Sequence, residues 1–160
     1  MAYLVPLIEH LSFYSRNIEK IHRQDSGTMA IIFSPTRELA VQIDIELKKL
    51  LKLFYYMVQT TIMGGESAQK EKSRLRKGCV ILICTPGRLL YHLENTQSLK
   101  LDKLRYMIFD EADRMLDLGF EKEMNKCLEL IKQKSKHSFI GNTFQSDKLK
   151  INFVSATMNP

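Results

Sequence analysis

Five short apolar runs, rich in Val, Ile, Phe and Met, alternate with stretches of helical length whose apolar residues recur every three to four positions. Few folds accept that alternation. An antiparallel pair can be joined by a tight turn, whereas a parallel pair needs a long crossover, and a helix is the usual one. The pattern therefore predicts an α/β fold: a parallel β-sheet with crossover helices on both faces. Strands are expected at 29–34, 57–63, 79–84, 106–110 and 151–155, and helices at 3–12, 38–52, 73–77, 88–95 and 119–134. A polar linker is expected through Gly27, and "SKHSFIGNTFQSDK" reads as a surface loop before the last strand.

A chain of 160 residues fits one domain, and one of that size buries about 70% of the surface its unfolded chain exposes. With 44% hydrophobic and 26% charged residues it is far from the composition of disorder. The net charge of +6 favours a polyanionic partner, although many basic domains merely solvate their lysines. Cys79, Cys84 and Cys127 lack CxxC spacing and read as reduced core residues of an intracellular protein. His10, His22, His92 and His137 are scattered without metal-ligand spacing and read as surface or core filling. The N-terminal stretch has no basic region, and no apolar run reaches about 18 residues, so neither secretion nor a membrane partner is indicated.

Chemistry is concentrated where the apolar runs end. "SPTR" (34–37) and "TPGR" (85–88) each place a hydroxyl residue, a proline and an arginine between a strand and a helix. Both read as the same device: an N-cap hydroxyl, Pro at the first helical position, then a guanidinium beside unpaired backbone N–H groups. Such a helix start attracts phosphate, and two on one sheet edge suggest a track for a polyanion. "MGGES" puts Gly64 and Gly65 directly after a strand, for a sharp turn or a close approach. The segment "KEKSRLRKG" sets five basic residues against Glu71 and reads as a solvated helix face. "YMIFDEAD" carries Asp110 out at the carboxyl end of an apolar strand, where open α/β sheets bind ligands. Asp110 there can hold Mg²⁺ through its waters, and Glu111 can orient or deprotonate an attacking water. "FVSAT" repeats the arrangement, with Ser155 and Thr157 as small hydroxyls able to bond a carboxylate such as Asp113.

Taken together and in order, "PTRELA" (35–40), "GG" (64–65), "TPGR" (85–88), "DEAD" (110–113) and "SAT" (155–157) resemble the DEAD-box RNA helicases. The resemblance runs over essentially the whole chain, and "MGGESAQKEKSRLRKG" with "LDLGFEKE" is most similar to the branch that works in ribosome assembly. It implies that residues 1–160 are part of a RecA-like ATP-binding lobe, the first of two, in an enzyme coupling Mg-ATP hydrolysis to RNA binding and local duplex unwinding. By the same resemblance, Asp110 and Glu111 serve Mg-ATP, and Asp113 pairs with Ser155 and Thr157 to couple nucleotide state to RNA grip. Pro35, Thr36, Arg37, Gly64, Gly65, Thr85, Gly87 and Arg88 would line a single-stranded RNA backbone, read with little sequence preference. Ribosome-assembly proteins as partners and a nuclear or nucleolar address follow if the branch is right.

None of the seven glycines is followed by lysine, so no G-x-x-x-x-G-K-[ST] phosphate loop occurs in these residues. In the family that loop ends directly before a helix beginning like "AYLVPLI", which here starts at Ala2. The reading is accordingly of a RecA-like sheet without its phosphate-loop strand, inactive by itself, whose "INFVS" strand presents an apolar, unpaired edge. The alternative is a non-catalytic RNA-binding or scaffold remnant that has lost its ATP site. A different phosphate-loop hydrolase using the acidic pair fits "PTRELA" and "TPGR" poorly.

Overall fold

The computed structural model describes residues 1–135 and 149–155. Its elements run α1 (Leu4–Asn17), β1 (Ala30–Phe33), α2 (Arg37–Leu50), a 3₁₀ turn (Leu51–Leu53), β2 (Gln59–Ile62), α3 (Ala68–Arg76), β3 (Ile81–Cys84), α4 (Pro86–Asn95), β4 (Tyr106–Asp110), α5 (Ala112–Asp117), α6 (Glu121–Lys134) and β5 (Lys150–Val154). The five strands form one sheet in the order β2-β3-β1-β4-β5, every pair parallel.

The strands obey the period of two that a sheet covered on both faces demands. Ile32, Ile81, Ile83 and Ile108 point to one face, under Leu4, Leu7, Ile8 and Leu11 of α1 and Ala40, Ile43 and Leu47 of α2. Ile31, Phe33, Leu82, Cys84, Met107 and Phe109 point to the other, under α3, α4, α5 and α6. β1, β3 and the last four residues of β4 are buried throughout. Phe33 and Phe109 stack across the β1–β4 pair with ring centroids 4.4 Å apart.

The predicted strands are all present, within two residues at their ends, and the helical stretches differ in three places, the first being that the helix expected at 3–12 runs on to Asn17. The helix expected at 73–77 begins five residues earlier at Ala68, because the Ser67 hydroxyl caps it by accepting from the Lys70 amide. Before α6 lies the short α5, which sequence periodicity did not reveal: six residues with Met115 alone buried are too few to establish a period. The loop expected at 135–148 lies, beyond Ser135, outside the described residues.

Among the described residues β5 is an edge strand, as expected for "INFVS". Phe153 is 61% exposed and Ile151 38%, although Phe153 still stacks on Phe109 at 4.9 Å. The three cysteines are free and buried. Burial pushes the Cys127 thiol up to about 12 and raises Cys79 and Cys84 as well, which fits core residues rather than nucleophiles. No helix among the described residues is long and apolar enough to cross a membrane.

Candidate functional site

Because all five strands are parallel, their carboxyl ends lie along one edge of the sheet, and every chemical motif of the sequence leaves from that edge. Ser34 follows β1, Met63 follows β2, Thr85 follows β3, Asp110 ends β4 and Ser155 follows β5. The first three exits are tied laterally: Ser34 N–H donates to Cys84 O at 2.8 Å and Thr85 N–H to Ile62 O at 3.2 Å.

The two proline turns are not the same device. In "SPTR" the cap is Thr36, whose side chain accepts from Leu39 N–H at 3.2 Å, and α2 opens at Arg37. Ser34 and Pro35 precede the helix, and the Ser34 hydroxyl donates instead to Thr36 O at 3.0 Å. In "TPGR" Thr85 holds the cap position and Pro86 the first helical one, as expected, but the Thr85 side chain makes no capping bond. Gly87 is exposed, and a Cβ there would meet nothing within 4 Å, so internal packing does not require glycine at this position.

The arginines and the glycine pair converge. Gly64 and Gly65 have φ of 73° and 82°, a left-handed conformation that side chains disfavour. A Cβ on Gly65 would lie 2.9 Å from Arg37 Nη1, and one on Gly64 3.5 Å from Arg37 Nη2 and 4.0 Å from Arg88 Cδ. The absent side chains are what let the Arg37 guanidinium lie against this turn with Arg88 beside it. Thus Arg37, Gly64, Gly65 and Arg88, which leave three different strands, form one cationic surface with exposed backbone.

The acidic pair sits on the next strand along the same edge, β4 beside β1. Asp110 is 7% exposed, and its Oδ2 accepts from the Tyr3 hydroxyl at 2.7 Å. Glu111 holds the N-cap position of α5 without a side-chain capping bond, at φ 50° and ψ 53°, the one non-glycine residue at positive φ among those described, and Arg114 Nη1 donates to it at 3.1 Å. Such outliers concentrate at functional sites. Asp113 lies in the first turn of α5, and β4 and β5 pair through Asp110 and Val154, which brings Ser155 to the same end of the sheet. Thr157 lies outside the described residues.

The family model described as DEAD/DEAH box helicase matches residues 1–160, the whole chain. The chain belongs to the DEAD/DEAH box helicase family. It is 46% identical over 159 residues to "ATP-dependent RNA helicase dbp7" of Sclerotinia sclerotiorum, covering 99% of this chain and 18% of that relative. It is 47% identical over 136 residues to "ATP-dependent DNA helicase DDX31" of Dictyostelium discoideum, covering 85% of this chain and 14% of that one. Among solved structures, Mss116p bound to ssRNA and AMP-PNP superposes with a TM-score of 0.81 at 28% identity, over 99% of this chain and 29% of that one. The yeast DEAD-box splicing factor Prp28 superposes with a TM-score of 0.73 at 32% identity, over 86% and 30%. The chain therefore spans less than a third of each of these proteins, and its RecA-like helicase fold is shared with the solved ones.

DEAD-box helicases use ATP, normally with magnesium, and the donor set here suits that ion. Among the described residues no three His, Cys, Asp or Glu side chains gather into a cage. Mg²⁺ does not require one, being held by one or two carboxylates with phosphate oxygens and water. Asp110 offers such a hard oxygen donor at a strand end.

Three side chains that matter to this DEAD-box edge were not singled out from sequence. Tyr3 is one: burial first, and then the Asp110 carboxylate, hold its phenol protonated far above the ordinary range. Replacing Tyr3 with Phe should cost about 1–2 kcal/mol of stability in denaturant unfolding, since a charge-assisted bond is lost at a half-buried site. An unchanged unfolding midpoint would mean that water replaces the hydroxyl without cost. The others are Glu71 and His92. Glu71 is not part of a solvated face: its side chain is 1% exposed and meets the fully buried His92 at 2.8 Å. Burial lowers the His92 pKa, outweighing the Glu71 carboxylate that would raise it.

Proposed function

We propose that this chain is first-lobe sequence of an ATP-dependent RNA helicase, in which it contributes the Mg-ATP carboxylates and half of the grip on RNA. The observation that carries the reading is the gathering of a cationic surface and an acidic pair on one sheet edge, within a family of helicases. Asp110 would hold the magnesium ion through its waters, which neutralises phosphate charge during hydrolysis. Glu111, on the strained turn beside it, orients the water that attacks the terminal phosphate and accepts its proton. Arg37 and Arg88 contact successive phosphates of a single strand, while Gly64, Gly65 and Gly87 let that backbone approach, with Pro35, Thr36 and Thr85 shaping the wall. Asp113, with Ser155 and Thr157, couples the two halves.

The Mss116p neighbour is bound to ssRNA and AMP-PNP, and several relatives are named as ATP-dependent RNA helicases, which supports the enzyme over the non-catalytic remnant. The likeness of "MGGESAQKEKSRLRKG" and "LDLGFEKE" to the ribosome-assembly branch supports a role in pre-ribosomal particles and a nucleolar address. The experiment is RNA-stimulated ATP hydrolysis by the full-length protein, together with its sedimentation in cell extract. Stimulation by single-stranded RNA of unrelated sequences and migration with pre-ribosomal particles are expected. Salt-sensitive RNA binding without hydrolysis would return the remnant reading, and hydrolysis without co-sedimentation would remove the ribosomal assignment alone.

A further inference from the structure

A buried carboxylate is costly unless donors surround it, and Glu71 has three, from α4 and from the end of β2. Arg88 Nε donates to Oε2, His92 Nε2 lies 2.8 Å from the same oxygen, and Met63 N–H donates to Oε1 at 3.3 Å. Met63 is the residue before Gly64, Arg88 is the cation of the "TPGR" turn, and His92 stands one turn further along α4, its other ring nitrogen 2.8 Å from Thr96 Oγ1. Glu71 therefore sits behind the cationic surface and touches both halves of it. The remaining contacts of Arg88 complete the orientation: its Nη2 donates to Glu66 O at 3.3 Å, and its guanidinium lies over the Tyr91 ring at 4.9 Å. Nε and Nη2 of Arg88 are thus both held by protein acceptors.

We propose that Glu71 is a positioning residue for RNA binding: it locks Arg88, after β3, to the glycine turn after β2, so that the phosphate contact and the surface of close approach meet the strand as one preformed unit. The proposal rests on the RNA track assigned above. It inverts a simple charge argument. Glu71 is an anion beside a surface meant for a polyanion, so removing its charge should tighten RNA binding if only net charge mattered. If Glu71 serves by holding Arg88, removing it should weaken binding, because the guanidinium must then be ordered at the expense of affinity.

The test measures single-stranded RNA affinity of the full-length protein by fluorescence anisotropy, for wild type, Glu71→Gln, Arg88→Ala and the double variant. Glu71→Gln should raise the Kd about tenfold, leave the KM for ATP within about twofold, and add little to Arg88→Ala in the double variant, since neighbours that act as a unit are not additive. Unchanged or tighter RNA binding by Glu71→Gln overturns the proposal, as does full additivity in the double variant. Should Glu71→Gln not fold, Arg88→Lys decides: it keeps the charge but not the Nε–H, so its affinity should fall nearly to that of Arg88→Ala, and a wild-type affinity would refute the lock. Absence of RNA binding by the wild type would instead remove the RNA track itself, and this inference with it.

Discussion

Glu111→Gln should reduce RNA-stimulated ATP hydrolysis in the full-length protein by about a thousandfold, within the range that a positioned general base supplies, while nucleotide binding is retained. The amide keeps the shape and the capping position of Glu111 but cannot take a proton from water, and Asp110 is left to hold the metal ion. Glu111→Gly should abolish turnover equally and do one thing more. At φ 50° and ψ 53° any side chain is strained, and glycine there should raise stability by about 1 kcal/mol. Comparing the two variants in ATPase assays and denaturant unfolding separates chemistry from conformation. Retained turnover in Glu111→Gln would show that another group activates the water. Equal stability of the two variants would show that the surrounding turn already compensates the strain.

Gly65→Ala should weaken single-stranded RNA binding about tenfold and lower stability by about 1 kcal/mol, two effects with one geometric origin. The new Cβ meets Arg37 Nη1 at 2.9 Å at a φ of 82°, so the turn distorts and the guanidinium is displaced. Arg37→Ala removes the cation alone, and the slope of log affinity against log salt concentration should then fall by about 0.7, one phosphate contact on a single strand. Both losses are read by titrating labelled RNA at several salt concentrations, and nucleotide affinity should not follow them. If it falls in parallel, the cationic surface and the acidic pair are not separate sites.

The strands were legible in the sequence because each is a nearly unbroken apolar run that nothing but a doubly covered sheet can use, as the burial of β1 and β3 shows. The motifs were legible because parallel topology guarantees that strand ends share an edge. What escaped depends on partners distant in the chain. Glu71 stands among five basic residues and reads as exposed, and it is buried only because Arg88 and His92, 17 and 21 residues on, turn inward to meet it. Tyr3 opens a helix with no sign that its hydroxyl reaches a carboxylate 107 residues away. The exchange of roles between Ser34 and Thr36 is local, but it turns on two residues of register at a helix start, which composition alone does not settle.

The strand order β2-β3-β1-β4-β5 also sets a schedule for the newborn chain. Of these five strands β1 is made first yet occupies the middle of the order, and neither of its neighbours exists until Cys84 and Asp110 have been synthesised. Until then its four apolar residues have none of the described strands to pair with, while α1 and α2 can already cover the face of Ala30 and Ile32. Long-range parallel pairing of this kind closes slowly and leaves apolar surface open in the interval. A nascent chain of this design is a natural client for chaperones that shield apolar segments while the later strands emerge.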